Sequence, residues 1–166
     1  NFQEVVRLAP DSYAGFSNLG VAYYQAGSWS EAQRAFERAT ELNPDYSRAY
    51  SNRGTLYFFE GRFGEATRMF ERAVASDELN YTAWGNLGDA YYWAPDDRVR
   101  AGKAYERAVS LAEDRLRVNP NDATIRSRVA MYLAMLESDE RALKHITLAV
   151  ELGADDVTVQ HKAAQV

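Results

Sequence analysis

A set of residues returns every 34 positions along this chain. Asn18 is followed by Asn52, Gly20 by Gly54, Tyr23 by Tyr57, Ala32 by Ala66, Phe36 by Phe70 and Ala39 by Ala73. A further step brings Trp84, Asn86, Leu87, Gly88 and Tyr91. A fixed period of this length is the mark of a repeat architecture, in which no single unit buries a core and stacking of neighbours does.

Within one period the spacing is helical. Phe16, Leu19, Gly20 and Tyr23 are three and four residues apart, which places them on one helix face. Gly20 lacks a Cβ and so admits a close neighbour, which offsets the cost of a glycine inside a helix, about 1 kcal/mol relative to Ala. Gly27 ends that helix, and Ala32, Phe36 and Ala39 form a small–large–small stripe on a second one. The expected helices lie near 11–26 and 29–42, with Ser30 placed to cap the second. Pro10 and Pro44 stop the pairs, because Pro cannot continue a helix.

This pattern resembles the tetratricopeptide repeat, a helix–turn–helix unit of the same period, over nearly the whole chain. The resemblance implies an all-α solenoid, a right-handed superhelix of antiparallel helix pairs with a concave groove. The chain then divides as one solenoid domain: a partial repeat over 1–10, repeats over 13–46 and 47–80, an extended repeat over 81–122, a repeat over 123–156 and a partial one over 157–166. In the third repeat one extra residue falls in the turn APDDRVR and seven more fall before Pro120. Seven residues rise about 10 Å in a helix. Tyr105, Ala108, Val109, Ala112 and Leu116 keep helical spacing through them, so a single overshooting helix is expected from about 98 to 118. The fourth repeat regains the frame with weaker landmarks, Arg126, Ala130 and Ile146 standing for Trp84, Gly88 and Phe70. The last helix, lacking a following partner, is expected to expose an apolar face. The chain begins inside a helical pattern and reads as a piece of a longer protein.

Composition narrows the partner. The net charge is −5, which argues against nucleic acid, since phosphate recognition rests on clustered Lys and Arg. No apolar run reaches the roughly 18 residues of a membrane span, so no membrane partner is expected. Cysteine is absent, which excludes disulfide and thiol chemistry and leaves the compartment open, with the cytoplasm as the default expectation.

Signals for catalysis are poor. His145 is expected on the surface of a second helix, and His161 lies on the last one. No metalloprotease or phosphate-loop motif occurs, and no cofactor or metal is expected. Asp96–Asp97 and Asp155–Asp156 sit in turns, where Asp commonly caps helices. Arg98, Arg100, Lys103 and Arg107 read as a solvated helix face.

Beside the packing face of the first helices runs a second stripe. It holds Ala14, Asn18, Val21 and Gln25, then Arg48, Asn52, Thr55 and Phe59, then Thr82, Asn86, Asp89 and Trp93, then Thr124, Arg128, Met131 and Met135. Asn recurs three times at one place, and its amide offers donor and acceptor together, as a peptide bond demands. Packed helices lie about 8–10 Å apart and an extended chain advances about 3.3 Å per residue, so one Asn would meet about every third ligand residue. The stripe is similar to the asparagine ladder of O-linked N-acetylglucosamine transferases; the alternative is that Asn is merely frequent here in such repeats. Tyr24, Phe58 and Tyr92 are expected to pack between repeats, whereas Phe59 and Trp93 have no such role and fit a binding surface. The carboxylate-clamp pattern of heat-shock co-chaperones is met only in part, at Asn52, or at Asn86 and Arg128 one repeat later.

The expected site is therefore Asn18, Arg48, Asn52, Phe59, Asn86, Asp89, Trp93 and Arg128, holding an extended peptide or a partner's helix without catalysis. The alternative is a structural spacer or self-association arm of a multidomain regulator, its open ends favouring end-to-end stacking.

Overall fold

The structure, a computed structural model, describes residues 4, 7, 9–94, 97–153 and 157–165. Phe2, Val5 and Val6, expected in a truncated leading repeat, lie outside the described residues, as do Asp96, Asp155 and Asp156. Among the described residues every regular element is a helix. In order they are α1 (Tyr13–Gln25), α2 (Trp29–Leu42), α3 (Ser47–Phe59), α4 (Phe63–Ser76), α5 (Tyr81–Trp93), α6 (Arg98–Val118), α7 (Ala123–Met135), α8 (Asp139–Leu152) and α9 (Val157–Ala163).

Local chemistry sets the boundaries. Ser12 and Asp122 cap α1 and α7 by accepting from the backbone N–H of Gly15 and Ile125, at 3.0 and 2.9 Å. Asn80 does the same for Ala83 at the start of α5. The second helices start differently. Ser28, not Ser30, precedes α2, and its side chain makes no capping bond; Ser30 lies within the first turn. Here the preceding helix closes on itself: the N–H groups of Ser28, Arg62 and Ser138 reach back to the carbonyls of Tyr23, Tyr57 and Leu133, each at 2.9 Å. That closure needs a left-handed residue just before it. Gly27 and Gly61 supply it with φ of 75° and 74°, and Glu137 does so with φ of 55°.

Packing follows the landmark residues. A Cβ on Gly20 would lie 2.4 Å from the Phe36 ring, one on Gly54 2.8 Å from Phe70, and one on Gly88 2.6 Å from Tyr105. Each first helix therefore rests its glycine on an aromatic ring of the second. In the last full pair Ile146 replaces the ring, and Ala130 fits where glycine stood. Helices α2, α4 and α8 have 14 residues and α6 has 21, so the seven inserted residues are all helical.

The chain forms two compact units. The first holds α1 to α4 together with Trp93 and Ala94, and its core centres on Ala32, Phe36, Leu56, Ala66 and Phe70. The second holds the rest of α5 and α6 to α9, around Leu87, Tyr105, Ala108, Val129 and Leu133. The short α9 is seated by Val159, fully buried against Ala130, Ile146 and Ala149.

Candidate functional site

In the first unit Asn18 and Asn52 are half-buried and Arg48 is exposed. The Asn52 amide donates to the Oγ of Ser17 at 3.3 Å, and Ser17 is fully buried. One amide hydrogen of Asn52 thus ties α3 to α1. Asn18 has no hydrogen-bond partner among the described residues.

Phe59 and Trp93 are 61% and 57% exposed, a large apolar surface left in water. They belong to a row of rings. Tyr24 lies 6.1 Å from Phe59, Phe59 6.0 Å from Phe58, Phe58 5.3 Å from Phe63, and Phe63 stacks on Trp93 at 6.0 Å. Tyr24 and Phe58 are half-buried in that row. Phe63, which links its two halves, escaped the sequence reading because it opens a second helix, outside the first-helix stripe. Gln25 stands at the place of Phe59 and Trp93 in the first repeat and is exposed. Packing therefore does not require an apolar residue there.

In the second unit Asn86, Asp89 and Arg128 are all half-buried. Asn86 has no hydrogen-bond partner among the described residues. Asp89 accepts a 2.7 Å hydrogen bond from the Tyr105 hydroxyl. Burial holds the Asp89 carboxyl above the usual range, against that bond and the Arg128 charge, which both favour the ionised form. The same burial, with the Asp89 charge beside it, pushes the Tyr105 hydroxyl far up. Burial also lifts Tyr132 to about 12, with Arg128 working the other way. The sequence carried a signal for this cluster. Tyr105 replaces Phe36 and Phe70, and Asp89 replaces Val21 and Thr55, so a hydroxyl and a carboxyl appear in the same repeat.

His145 is not the surface residue expected. It is half-buried on α8, its Nε2 3.7 Å from Glu113, and desolvation depresses its pKa while Glu113 raises it. Among the described residues no group of three or more His, Cys, Asp or Glu could hold a metal ion. No helix among them is long and apolar enough to cross a membrane.

Residues 14–78 match the family model described as tetratricopeptide repeat. No curated protein matches the chain. Among solved structures, it is similar to TTC0263, a thermophilic tetratricopeptide protein in Thermus thermophilus. The identity is 25% over 93% of this chain and 80% of that one, with a TM-score of 0.68. It is also similar in fold to MamA, at 19% identity over 93% of this chain and 85% of that one, TM-score 0.62. A third neighbour is YrrB, described as a tetratricopeptide protein with an unusual peptide-binding site. There the identity is 18% over 99% and 98% of the two chains, TM-score 0.52. The tetratricopeptide fold generally mediates protein–protein interaction and is generally a non-enzymatic scaffold. The recurrent glycine-on-ring packing, the tetratricopeptide repeats matched over residues 14–78 and these neighbours together give the chain an all-α fold of the tetratricopeptide-repeat type.

Proposed function

We propose that this chain is a non-enzymatic binding module that holds an extended peptide or a partner's helix along its first helices. The observation that carries this reading is the pair of open amides, Asn18 and Asn86, at one repeat position, with exposed Phe59 and Trp93 on the same stripe. An amide with neither donor nor acceptor engaged is ready for a peptide bond, and a solvent-exposed ring is ready for a side chain. Arg48, Asn52, Asp89 and Arg128 complete the stripe and set its charge. The likeness in fold to YrrB supports a peptide ligand.

The test is a double substitution that breaks no internal hydrogen bond, Asn18→Ala with Asn86→Ala. A ligand selected from a random peptide display library is titrated by fluorescence anisotropy against both proteins. The variant is expected to bind at least about tenfold more weakly, about 1.4 kcal/mol, with an unchanged helical circular-dichroism signal. Equal affinity overturns the proposal.

A further inference from the structure

The step from the first repeat to the second shows what a carboxylate on a second helix does in this fold. Glu37 on α2 receives the Arg53 guanidinium of α3 at 2.7 Å. Arg53 also donates to the Tyr57 hydroxyl at 3.0 Å, and Arg62 lies over the Tyr57 ring at 4.2 Å. The Gln33 side-chain amide donates to the same Glu37 oxygen at 3.0 Å.

The step from the third repeat to the fourth keeps the acid and removes everything that answered it. Glu106 stands where Glu37 stands, but Gly102 and Val129 stand where its partners Gln33 and Arg53 stand, and Leu133 and Ser138 stand where Tyr57 and Arg62 stand. A cleft of about 690 Å³ opens there, with Val109, Leu133 and Leu136 among its walls. The helical overshoot extends it, since Glu113, Asp114 and Arg117 lie beyond the point where α2 and α4 end. Glu113 is answered by Arg141 at 2.9 Å, and Asp114 by Arg117. Glu106 alone of the lining acids has no ion pair or hydrogen bond among the described residues.

We infer that this cleft is a second binding site, taking an arginine side chain from a segment of a partner protein. The guanidinium meets Glu106 as Arg53 meets Glu37, and the methylene stem lies on Leu133 and Leu136, as long cationic side chains do on apolar surface. Charge complementarity selects this occupant: the fold itself places a guanidinium against this acid where its own sequence provides one. On α7 Leu133 is turned roughly 140° from Arg128, at about 100° per residue. The site is therefore independent of the first-helix stripe.

The experiment titrates ¹⁵N-labelled protein with a capped Ala-Leu-Arg-Leu-Ala peptide and, as control, the same peptide with Gln for Arg. Amide shifts are expected around 106–117 and 133–141 with the arginine peptide alone, weakening as salt is raised. Glu106 and Ser110 are both exposed, so their substitution leaves the core untouched. Glu106→Gln is expected to weaken binding about tenfold. Ser110→Arg, which sets an internal cation one turn from Glu106, is expected to abolish it. Asn18→Ala with Asn86→Ala is expected to leave it unchanged. Equal shifts from the glutamine peptide, or wild-type affinity in Glu106→Gln, overturn the inference.

Discussion

The α-carbon of Gly20 faces the Phe36 ring so closely that a methyl group on it would lie 2.4 Å from the ring edge. Phe36 is 1% exposed and has nowhere to retreat. Gly20→Ala therefore overpacks a filled site, at a cost of about 1–3 kcal/mol, against a gain of about 1 kcal/mol in helix propensity. Gly64 in α4 has nothing within 4 Å of its Cβ position, and only the propensity gain applies. Urea unfolding should show Gly20→Ala destabilised and Gly64→Ala stabilised. Shifts of the same sign would contradict the glycine-on-ring account.

Glu137 holds the left-handed place taken elsewhere by Gly27 and Gly61. A side chain there costs about 1–2 kcal/mol, less the entropy that glycine itself loses on folding. Glu137→Gly should raise the unfolding free energy by about 0.5–1 kcal/mol, and Gly61→Ala should lower it by about 1–2 kcal/mol. Thermal melts of the two variants against wild type check both signs.

Asp89 gives a pH dependence. Its folded pKa is raised by burial, so its contribution to stability is full below the unfolded value, about 4, and is lost as pH rises through the folded value. Asp89→Asn keeps an acceptor for Tyr105 and has no charge to bury. Its stability relative to wild type should climb as pH is raised from acid toward neutrality. A difference that stays flat, or falls, would mean that the Tyr105 hydrogen bond and the Arg128 charge together match or outweigh burial.

The repeated asparagines should separate in stability. Asn52→Ala removes the donor that answers the buried Ser17 Oγ and should cost about 1 kcal/mol. Asn18→Ala and Asn86→Ala break no such bond and should fall within about 0.5 kcal/mol of wild type. Chemical denaturation of the three single variants distinguishes them.

The helices were legible because their period is carried by a few obligatory residues. Gly20, Ala32, Phe36 and Ala39 can be read at a distance, since close packing fixes the size of each. The 21-residue α6 was legible for the same reason, as its apolar spacing continues unbroken to Leu116. What the spacing did not carry was pairing between helices. The Asn52–Ser17 bond, the Tyr105–Asp89 bond and the Glu113 contact to His145 each depend on which side chains meet across a helix interface. A one-dimensional period fixes faces but not partners. Ser30 was misplaced because backbone closure at Gly27 starts α2, leaving no work for a side-chain cap.

The most direct measurement of the binding reading is an amide chemical-shift map of the protein with a display-selected peptide. The account predicts shifts gathered at Asn18, Arg48, Asn52, Phe59, Asn86, Asp89, Trp93 and Arg128, along the first helices. Shifts confined to the second helices, with that stripe silent, would contradict it.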